Sequence, residues 1–264
     1  MRPRKRFGQN FLMDAGAARR IAQLACDGAP AGARMIEIGA GTGTLTLALV
    51  EAGAAVTALE IDTQLVTILA NRADLRPATI VPADALTYDY AAFARGGPWR
   101  VAGNLPYNIA TPLVTSLAEM ECGPETIVVM VQKDVAERIA AKPGTPAYGS
   151  LSIAVQYAMH VERAFTLGPR AFYPQPNVDS TVIRLVRRTA PAVRPLDLEL
   201  FRKVVRGAFA YRRKTLANSL ALALHIERDA AANAIARSGL PAESRGEQLD
   251  LQAFCRLADA LAEG

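Results

Sequence analysis

The chain has 264 residues, a 51% hydrophobic composition and a formal net charge of +5. That length holds one full α/β domain plus a smaller second domain, and the apolar content suits buried cores rather than disorder. No apolar run reaches the roughly 18 residues of a membrane span, and three scattered cysteines (Cys26, Cys122, Cys255) with two histidines (His160, His225) cannot be written as a zinc cluster and fit a reducing cytoplasm.

Residues 1–14 form a basic arm that ends in Gln9-Asn10-Phe11-Leu12. Phe7-Gly8-Gln9-Asn10 stands where a secretory signal would carry its apolar stretch, so no signal peptide is expected. Residues 15–26 read as a helix. A short apolar strand over 34–39 (Met35, Ile36, Ile38) then runs into Gly39, Gly41 and Gly43 at alternate positions, with a helix over 44–52. Glycines at such a turn permit close approach of a ligand to the backbone. The next strand, 55–60, ends in Glu60, a carboxylate placed to bind both ribose hydroxyls of an adenosine. The dinucleotide fingerprint requires a third glycine where this chain has Thr44, which counts against a dehydrogenase. After a helix over 62–73, the strand at 78–82 leads to Asp84, a candidate acceptor for an adenine amine.

The strand at 99–103 reaches Asn104-Leu105-Pro106-Tyr107. This tetrapeptide contains the parts needed to hold an exocyclic amine. The Asn104 oxygen and the Leu105 carbonyl can each accept one hydrogen of an –NH2 group. Pro106 stiffens the turn, and the Tyr107 ring offers a stacking face. As an isolated motif, Asn-x-Pro is equally the start of an ordinary loop; it gains meaning from the glycine turn and the acids upstream.

A helix at 111–121, a strand at 126–132 and a helix at 133–141 follow, and another helix begins at Ala147-Tyr148-Gly149-Ser150. This alternation predicts a mostly parallel sheet covered on both faces. Strands are expected at 161–167 and 180–186. Between them, Phe172-Tyr173-Pro174-Gln175-Pro176 forms an extended loop, with Phe172 a candidate second face for a base stacked on Tyr107. Pro191 and Pro195 mark a linker, and from Leu196 onward the pattern is helical only. The expected divisions are an arm over 1–14, an α/β domain over 15–190 and a helical domain over 195–264.

Charge is unevenly spread. Residues 1–20 carry +5, residues 181–214 carry +8, and the rest of the chain carries −8. Two basic blocks around an acidic remainder are the footprint of a polyanion binder.

Taken together, these motifs resemble the KsgA (RsmA) family of small-subunit rRNA adenine dimethyltransferases, over nearly the whole chain. The resemblance rests on Lys5-Arg6-Phe7-Gly8-Gln9-Asn10-Phe11-Leu12, Glu37-Ile38-Gly39-Ala40-Gly41-Thr42-Gly43, Asn104-Leu105-Pro106-Tyr107-Asn108, Gln132-Lys133, Tyr148-Gly149, the loop from Phe172 to Ser180, and Arg212-Arg213-Lys214-Thr215-Leu216. The Erm enzymes of large-subunit rRNA share the glycine, Asn-Leu-Pro-Tyr and Phe-x-Pro-x-Pro elements; the Arg-Arg-Lys-Thr-Leu stretch is similar to KsgA instead. The resemblance implies a class I S-adenosylmethionine methyltransferase, Rossmann-like, with a seven-stranded mostly parallel sheet and a small all-helical C-terminal domain. It implies that Asn10 and Leu12 close over S-adenosylmethionine, that Gly39 approaches its amino-acid portion, that Glu60 binds the ribose and Asp84 the adenine, that Gly41, Ile61 and Ala85 also bind the cofactor, and that Asn104 lies between cofactor and target. Asn104, Leu105, Pro106, Tyr107 and Phe172 would then handle the target base. Arg4, Lys5, Arg6, Arg212, Arg213 and Lys214 would contact RNA. The implied activity is N6,N6-dimethylation of two adjacent adenines near the 3′ end of 16S rRNA, by a cytoplasmic monomer acting on an assembling 30S subunit with no membrane partner. An Erm-type activity, or an RNA-binding assembly factor with dispensable catalysis, are the alternatives.

Overall fold

A computed structural model of the protein describes residues 8–211 and 213–263, which divide into two compact units. The first unit comprises residues up to Ala136 together with His160–Arg187. Its centre is a seven-stranded sheet. The strands are β2 (Arg34–Ile38), β3 (Ala55–Glu60), β4 (Thr79–Pro82), β5 (Trp99–Asn104), β6 (Thr126–Gln132), β7 (Met159–Leu167) and β9 (Ser180–Arg187), in the order β4-β3-β2-β5-β6-β9-β7. The pairs β4–β3, β3–β2, β2–β5 and β5–β6 are parallel, and β9 runs antiparallel to β6. Buried strands covered on both faces read as continuous apolar runs; Ile127 to Val131 of β6 are all fully buried.

Helices α1 (Ala15–Cys26), α2 (Thr44–Glu51), α3 (Thr63–Ala70), α4 (Tyr90–Ala94) and α5 (Tyr107–Glu119) belong to this unit. Asp14 opens α1 by accepting the Ala17 N–H at 2.9 Å, an N-cap of the usual kind. Asp62 and Asp89 open α3 and α4 in the same way. Helix α5 starts at Tyr107 rather than near 111, because Pro106 takes the N-cap position and Pro112 is accommodated inside the helix. The sequence reading placed no strand in the N-terminal arm or in the proline loop. The structure has a small second sheet there, in which β1 (Phe11–Leu12) pairs antiparallel with β8 (Phe172–Tyr173).

The second unit comprises Glu137–Met159 and the residues from Arg188 onward. Helix α6 (Lys133–Ala140) carries the chain into it, and α7 (Ser150–Ala158), α8 (Leu198–Ala210), α9 (Leu216–Leu224), α10 (Arg228–Arg237) and α11 (Leu251–Ala262) make it up. The expected boundary near residue 190 left Glu137–Met159 with the sheet. Those residues group with the C-terminal helices because Ala141, Tyr148 and Ile153 share one buried core with Phe201, Leu220 and Phe254. The Tyr148 hydroxyl donates to the Leu249 carbonyl at 2.8 Å and ties the early segment to the turn that leads into the last helix. Gly207 lets α8 and α9 close up, since a Cβ there would lie 3.2 Å from that of Ala223. Among the described residues, no helix is long and apolar enough to cross a membrane.

Candidate active site

Parallel strands end together on one edge of the sheet, and ligands of such folds bind outside their carboxyl ends. In the first unit, the ends of β2, β3 and β5, with the segment after β4, surround a cavity of about 350 Å³. It is lined by the glycine turn (Gly39 and Gly41), Glu60 and Ile61, Asp84 and Ala85, the Asn104–Tyr107 motif, Phe172, and Asn10, Phe11 and Leu12 of the arm. The predicted cofactor and base residues are thus gathered from six separate segments of sequence into one cavity. Arg213 and Lys214 are exposed in the second unit, and Arg4, Lys5, Arg6 and Arg212 lie outside the described residues.

The glycine turn is held from two sides. Gly41 sits at φ 57°, in the left-handed region, and a Cβ on it would come within 3.1 Å of the Phe11 ring. Its N–H donates to Glu60 Oε2 at 2.8 Å, while the Asp62 N–H donates to Glu60 Oε1 at 2.9 Å. Glu60 is therefore a brace of the turn as well as part of the cavity wall, with acceptor capacity left on the carboxylate. Burial pushes its pKa up, the nearby Asp62 charge adds to that, and the backbone N–H groups of Asp62, Gly41 and Ile61 partly offset it. On the far side, Arg72 donates to the Thr42 carbonyl at 2.6 Å and pairs with Asp74 at 2.6 Å.

Asn104 is fixed by the arm. Its Nδ2 donates to the Asn10 carbonyl at 2.8 Å, so the side-chain oxygen is the end left for a ligand. The backbone of Leu105 is anchored through its N–H to the Met130 carbonyl at 3.0 Å. The Leu105 carbonyl accepts no hydrogen bond from any described residue. Two acceptors, one side-chain and one main-chain, thus stand on neighbouring residues at the cavity wall. Tyr107 is half-buried; burial raises its phenol pKa, and the Ser180 hydroxyl beside it pulls the other way. Phe172 is buried at 3% exposure and belongs both to the core and to the cavity wall, so its anchoring and lining roles coexist.

Asp84 is exposed, and its Oδ1 accepts the Leu86 N–H at 2.9 Å in a local Asx turn. The Ala85 carbonyl accepts from the Tyr90 hydroxyl at 2.9 Å, which sets the backbone beneath it.

Three participants carry no site role of their own in the sequence reading, although Glu37 stands there as the acid that opens the glycine motif. Gln9 donates to Asp62 at 3.3 Å and tethers the arm beside the cavity. Phe11 lies against Gly41. Glu37 is the third: a carboxylate 1% exposed that lines the cavity, with neither oxygen hydrogen-bonded. An acid inside the apolar run Met35-Ile36-Glu37-Ile38 was the available signal. Burial chiefly raises the Glu37 pKa to about 7; the nearby Thr46 hydroxyl lowers it and Glu60 raises it. Thr46 is near enough to act on Glu37, but no hydrogen bond of ordinary geometry joins them.

The model of the ribosomal RNA adenine dimethylase family matches residues 1–263. The ribosomal RNA small subunit methyltransferase A of Pseudomonas aeruginosa is 45% identical, over 99% of this chain and 96% of its own length. The protein of the same name from Streptococcus gordonii is 44% identical, over 98% and 91%. A crystal structure of a dimethyladenosine transferase from Plasmodium falciparum has the same fold, with a TM-score of 0.78 at 22% identity over 94% of this chain and 95% of that one. The crystal structure of the 23S rRNA methyltransferase ErmE aligns with a TM-score of 0.70 at 26% identity, over 96% and 100%. With a family match from end to end and relatives at this level of identity, the chain belongs to the ribosomal RNA adenine dimethylase family.

Proposed function

We propose that this protein is an S-adenosylmethionine-dependent rRNA adenine dimethyltransferase that methylates N6 of two adjacent adenines near the 3′ end of 16S rRNA. It acts as a cytoplasmic monomer on the assembling small subunit. The observation that carries the reading is the paired acceptor at the end of β5: the Asn104 oxygen, oriented by the bond to Asn10, beside the free Leu105 carbonyl.

The cavity suits the cofactor. Its volume of about 350 Å³ is within the range of small-molecule sites. Gly39 and Gly41 leave the backbone bare for a polar ligand, Glu60 keeps acceptor capacity for the ribose diol, and Asp84 keeps one oxygen free of its turn for the adenine amine. Asn10, Leu12, Ile61 and Ala85 supply the remaining contacts. Bound there, S-adenosylmethionine supplies an electrophilic methyl group.

The protein's own contribution is orientation. The adenine N6 lone pair is delocalised into the ring and is a weak nucleophile. Hydrogen bonds from both amine hydrogens to Asn104 and the Leu105 carbonyl favour a pyramidal nitrogen with its lone pair directed away from the ring plane. No strong base is required, because the alkylated amine is itself acidic. Positioned dipoles of this kind act through orientation and electrostatics. Pro106 stiffens the turn, and Tyr107 and Phe172 offer aromatic faces that offset the cost of unstacking the target base. Arg4, Lys5, Arg6, Arg212, Arg213 and Lys214 bind phosphate. Mass spectrometry of rRNA from cells lacking this protein tests the reading. Loss of two dimethyladenines from 16S rRNA supports it; loss from 23S rRNA, or no loss at all, overturns it.

A further inference from the structure

An aromatic ring stands beside the cavity without taking part in its wall. Phe172 is buried and lines the cavity, whereas the next residue, Tyr173, is 57% exposed and does not line it. Tyr173 belongs to β8 and stands directly opposite Phe11 of β1. Residues opposite one another in an antiparallel pair share a face, with Cβ atoms about 5 Å apart. Phe11 lines the cavity and lies against Gly41. Tyr173 is thus flanked by two cavity-lining residues, one along the chain and one across the ribbon, and its own ring is left at the rim. The ribbon beneath it is fixed: Leu12 and Phe172 are buried, and the Met13 N–H donates to the Ala171 carbonyl at 2.8 Å. Among the described residues, Tyr173 and Tyr211 are the large exposed aromatics, and Tyr173 is the one in the unit that holds the cavity. Its ring pairs with no other ring or cation among those residues.

We propose that Tyr173 is a stacking platform for the nucleotide next to the target adenine, and that it favours a target whose neighbour is a purine. The proposal rests on the rRNA reading above, in which the substrate is a pair of adjacent adenines. The acceptors at Asn104 and Leu105 serve one amine, so one base enters the cavity and its neighbour stays outside. A single backbone linkage ties that neighbour to the target and holds it near the mouth. Extruding the target removes the stack the two bases shared. A flat side chain at the rim replaces it, because every base has a π-face to offer. A ring on a fixed ribbon does so with little ordering cost. A purine covers more of the ring than a pyrimidine, and this links the chemistry at one adenine to the presence of the other.

The test is methylation of small ribosomal subunits from cells lacking this protein, read as kcat/KM for the subunit with Tyr173→Ala, Tyr173→Phe and Tyr173→Leu. Tyr173→Phe keeps the flat face and should match the wild type. Tyr173→Ala and Tyr173→Leu should each lose about 5- to 100-fold, the range of a lost base–aromatic stack. Affinity for S-adenosylmethionine, by titration calorimetry, should be unchanged in all three, because Tyr173 does not line the cavity. A second measurement joins the ring to the base. It uses subunits in which a pyrimidine replaces one or the other of the two adenines. In one of these arrangements the pyrimidine falls beside Tyr173, and there the loss caused by Tyr173→Ala should shrink. A wild-type kcat/KM for Tyr173→Ala would overturn the proposal. So would equal activity of Tyr173→Leu and Tyr173→Phe, which would make the residue an apolar anchor, or an alanine loss indifferent to the neighbouring base in both arrangements. If Tyr173→Ala no longer binds S-adenosylmethionine, the ribbon itself has been disturbed and the comparison of Tyr173→Phe with Tyr173→Leu decides. Subunits left unmethylated by the wild-type protein would sink the rRNA reading instead.

Discussion

Glu60→Gln separates two functions that one side chain combines. The carboxylate accepts the Gly41 N–H at 2.8 Å and the Asp62 N–H at 2.9 Å, one on each oxygen. A carboxamide has the same shape but only one oxygen. It can serve one of these donors, and it turns an NH2 group on the other. A buried donor left without a partner costs about 1–3 kcal/mol. Part of that is returned, because burial disfavours the charge that the substitution removes. A net loss of about 1 kcal/mol in a domain of this size lowers the melting temperature by about 2–4 °C, in the absence of any ligand. Binding suffers separately. Loss of a charged hydrogen-bonding partner for the ribose is worth about 1.5–3 kcal/mol, or about ten- to a hundredfold in Kd for S-adenosylmethionine. Scanning calorimetry of the free protein reads the first effect and titration calorimetry the second. A lower affinity with an unchanged melting temperature would refute the bracing role. A lower melting temperature with unchanged affinity would remove Glu60 from the ligand, and no change in either would refute both arguments.

Asn104→Ala removes one acceptor for the target amine and should lower single-turnover methylation by about 10²-fold or more while RNA binding persists; a wild-type rate would reduce residues 104–107 to a turn. Replacing Arg212, Arg213 and Lys214 together should weaken RNA binding across sequences and flatten its salt dependence by up to about 0.7–0.9 in log–log slope per lost contact, with cofactor affinity unchanged. An unaltered slope would make them a solvated cluster. Glu37→Gln should change the pH dependence of stability. Burial raises the folded-state pKa of Glu37 from 4.5 to about 7. Its contribution is therefore most favourable below the unfolded value and is lost as pH rises through the folded value. The variant should gain on the wild type between those limits, by up to about 3 kcal/mol. Urea unfolding of the ligand-free protein at several pH values checks this, and a constant difference between the two proteins would contradict it.

The elements that were legible in the sequence are those with a local signature. Apolar runs ended by glycine or by an acid located β2, β3, β4 and β5, and residues at the ends of parallel strands necessarily converge. Asn104, Glu60 and the glycine turn were therefore readable as a group before any coordinate was known. The features that were not legible are pairings between distant residues. The strands β1 and β8 contain two residues each and pair Phe11 with Tyr173 across most of the first unit's sequence. So short a strand leaves no alternation to detect. The bond from Asn104 to Asn10 spans 94 positions and follows from that pairing, not from either segment alone. The grouping of Glu137–Met159 with the C-terminal helices is of the same kind, since a helix's composition does not reveal which core buries its apolar face. Glu37 is different. Its signal was present as an acid within an apolar strand, but that its oxygens have no hydrogen-bond partner among the described residues is revealed only by the folded chain.

On the proposed function, the distribution of charge would divide the two substrates between two kinds of surface. The cavity is bounded by Glu37, Glu60 and Asp84, and the buried Asp62 lies next to Glu60. No Lys or Arg lines it among the described residues. Such a site favours a cationic ligand and opposes a phosphate, most strongly where water is excluded and the effective dielectric is low. RNA carries a charge at every nucleotide, so its backbone cannot follow the base into this cavity without cost. A nucleobase is neutral and can enter alone. On the proposed function, a base reaching Asn104 and Leu105 would be an extruded one, and the phosphates would be held by cations elsewhere in the chain. This accounts for a protein whose net charge is only +5 although residues 181–214 alone carry +8. On the proposed function, the acidic balance of the cavity would favour a cationic methyl donor and a bare base. Neutralising the phosphate-binding cations should therefore weaken RNA binding without changing which atom is methylated, whereas placing a cation at the cavity wall should impair binding of the methyl donor first.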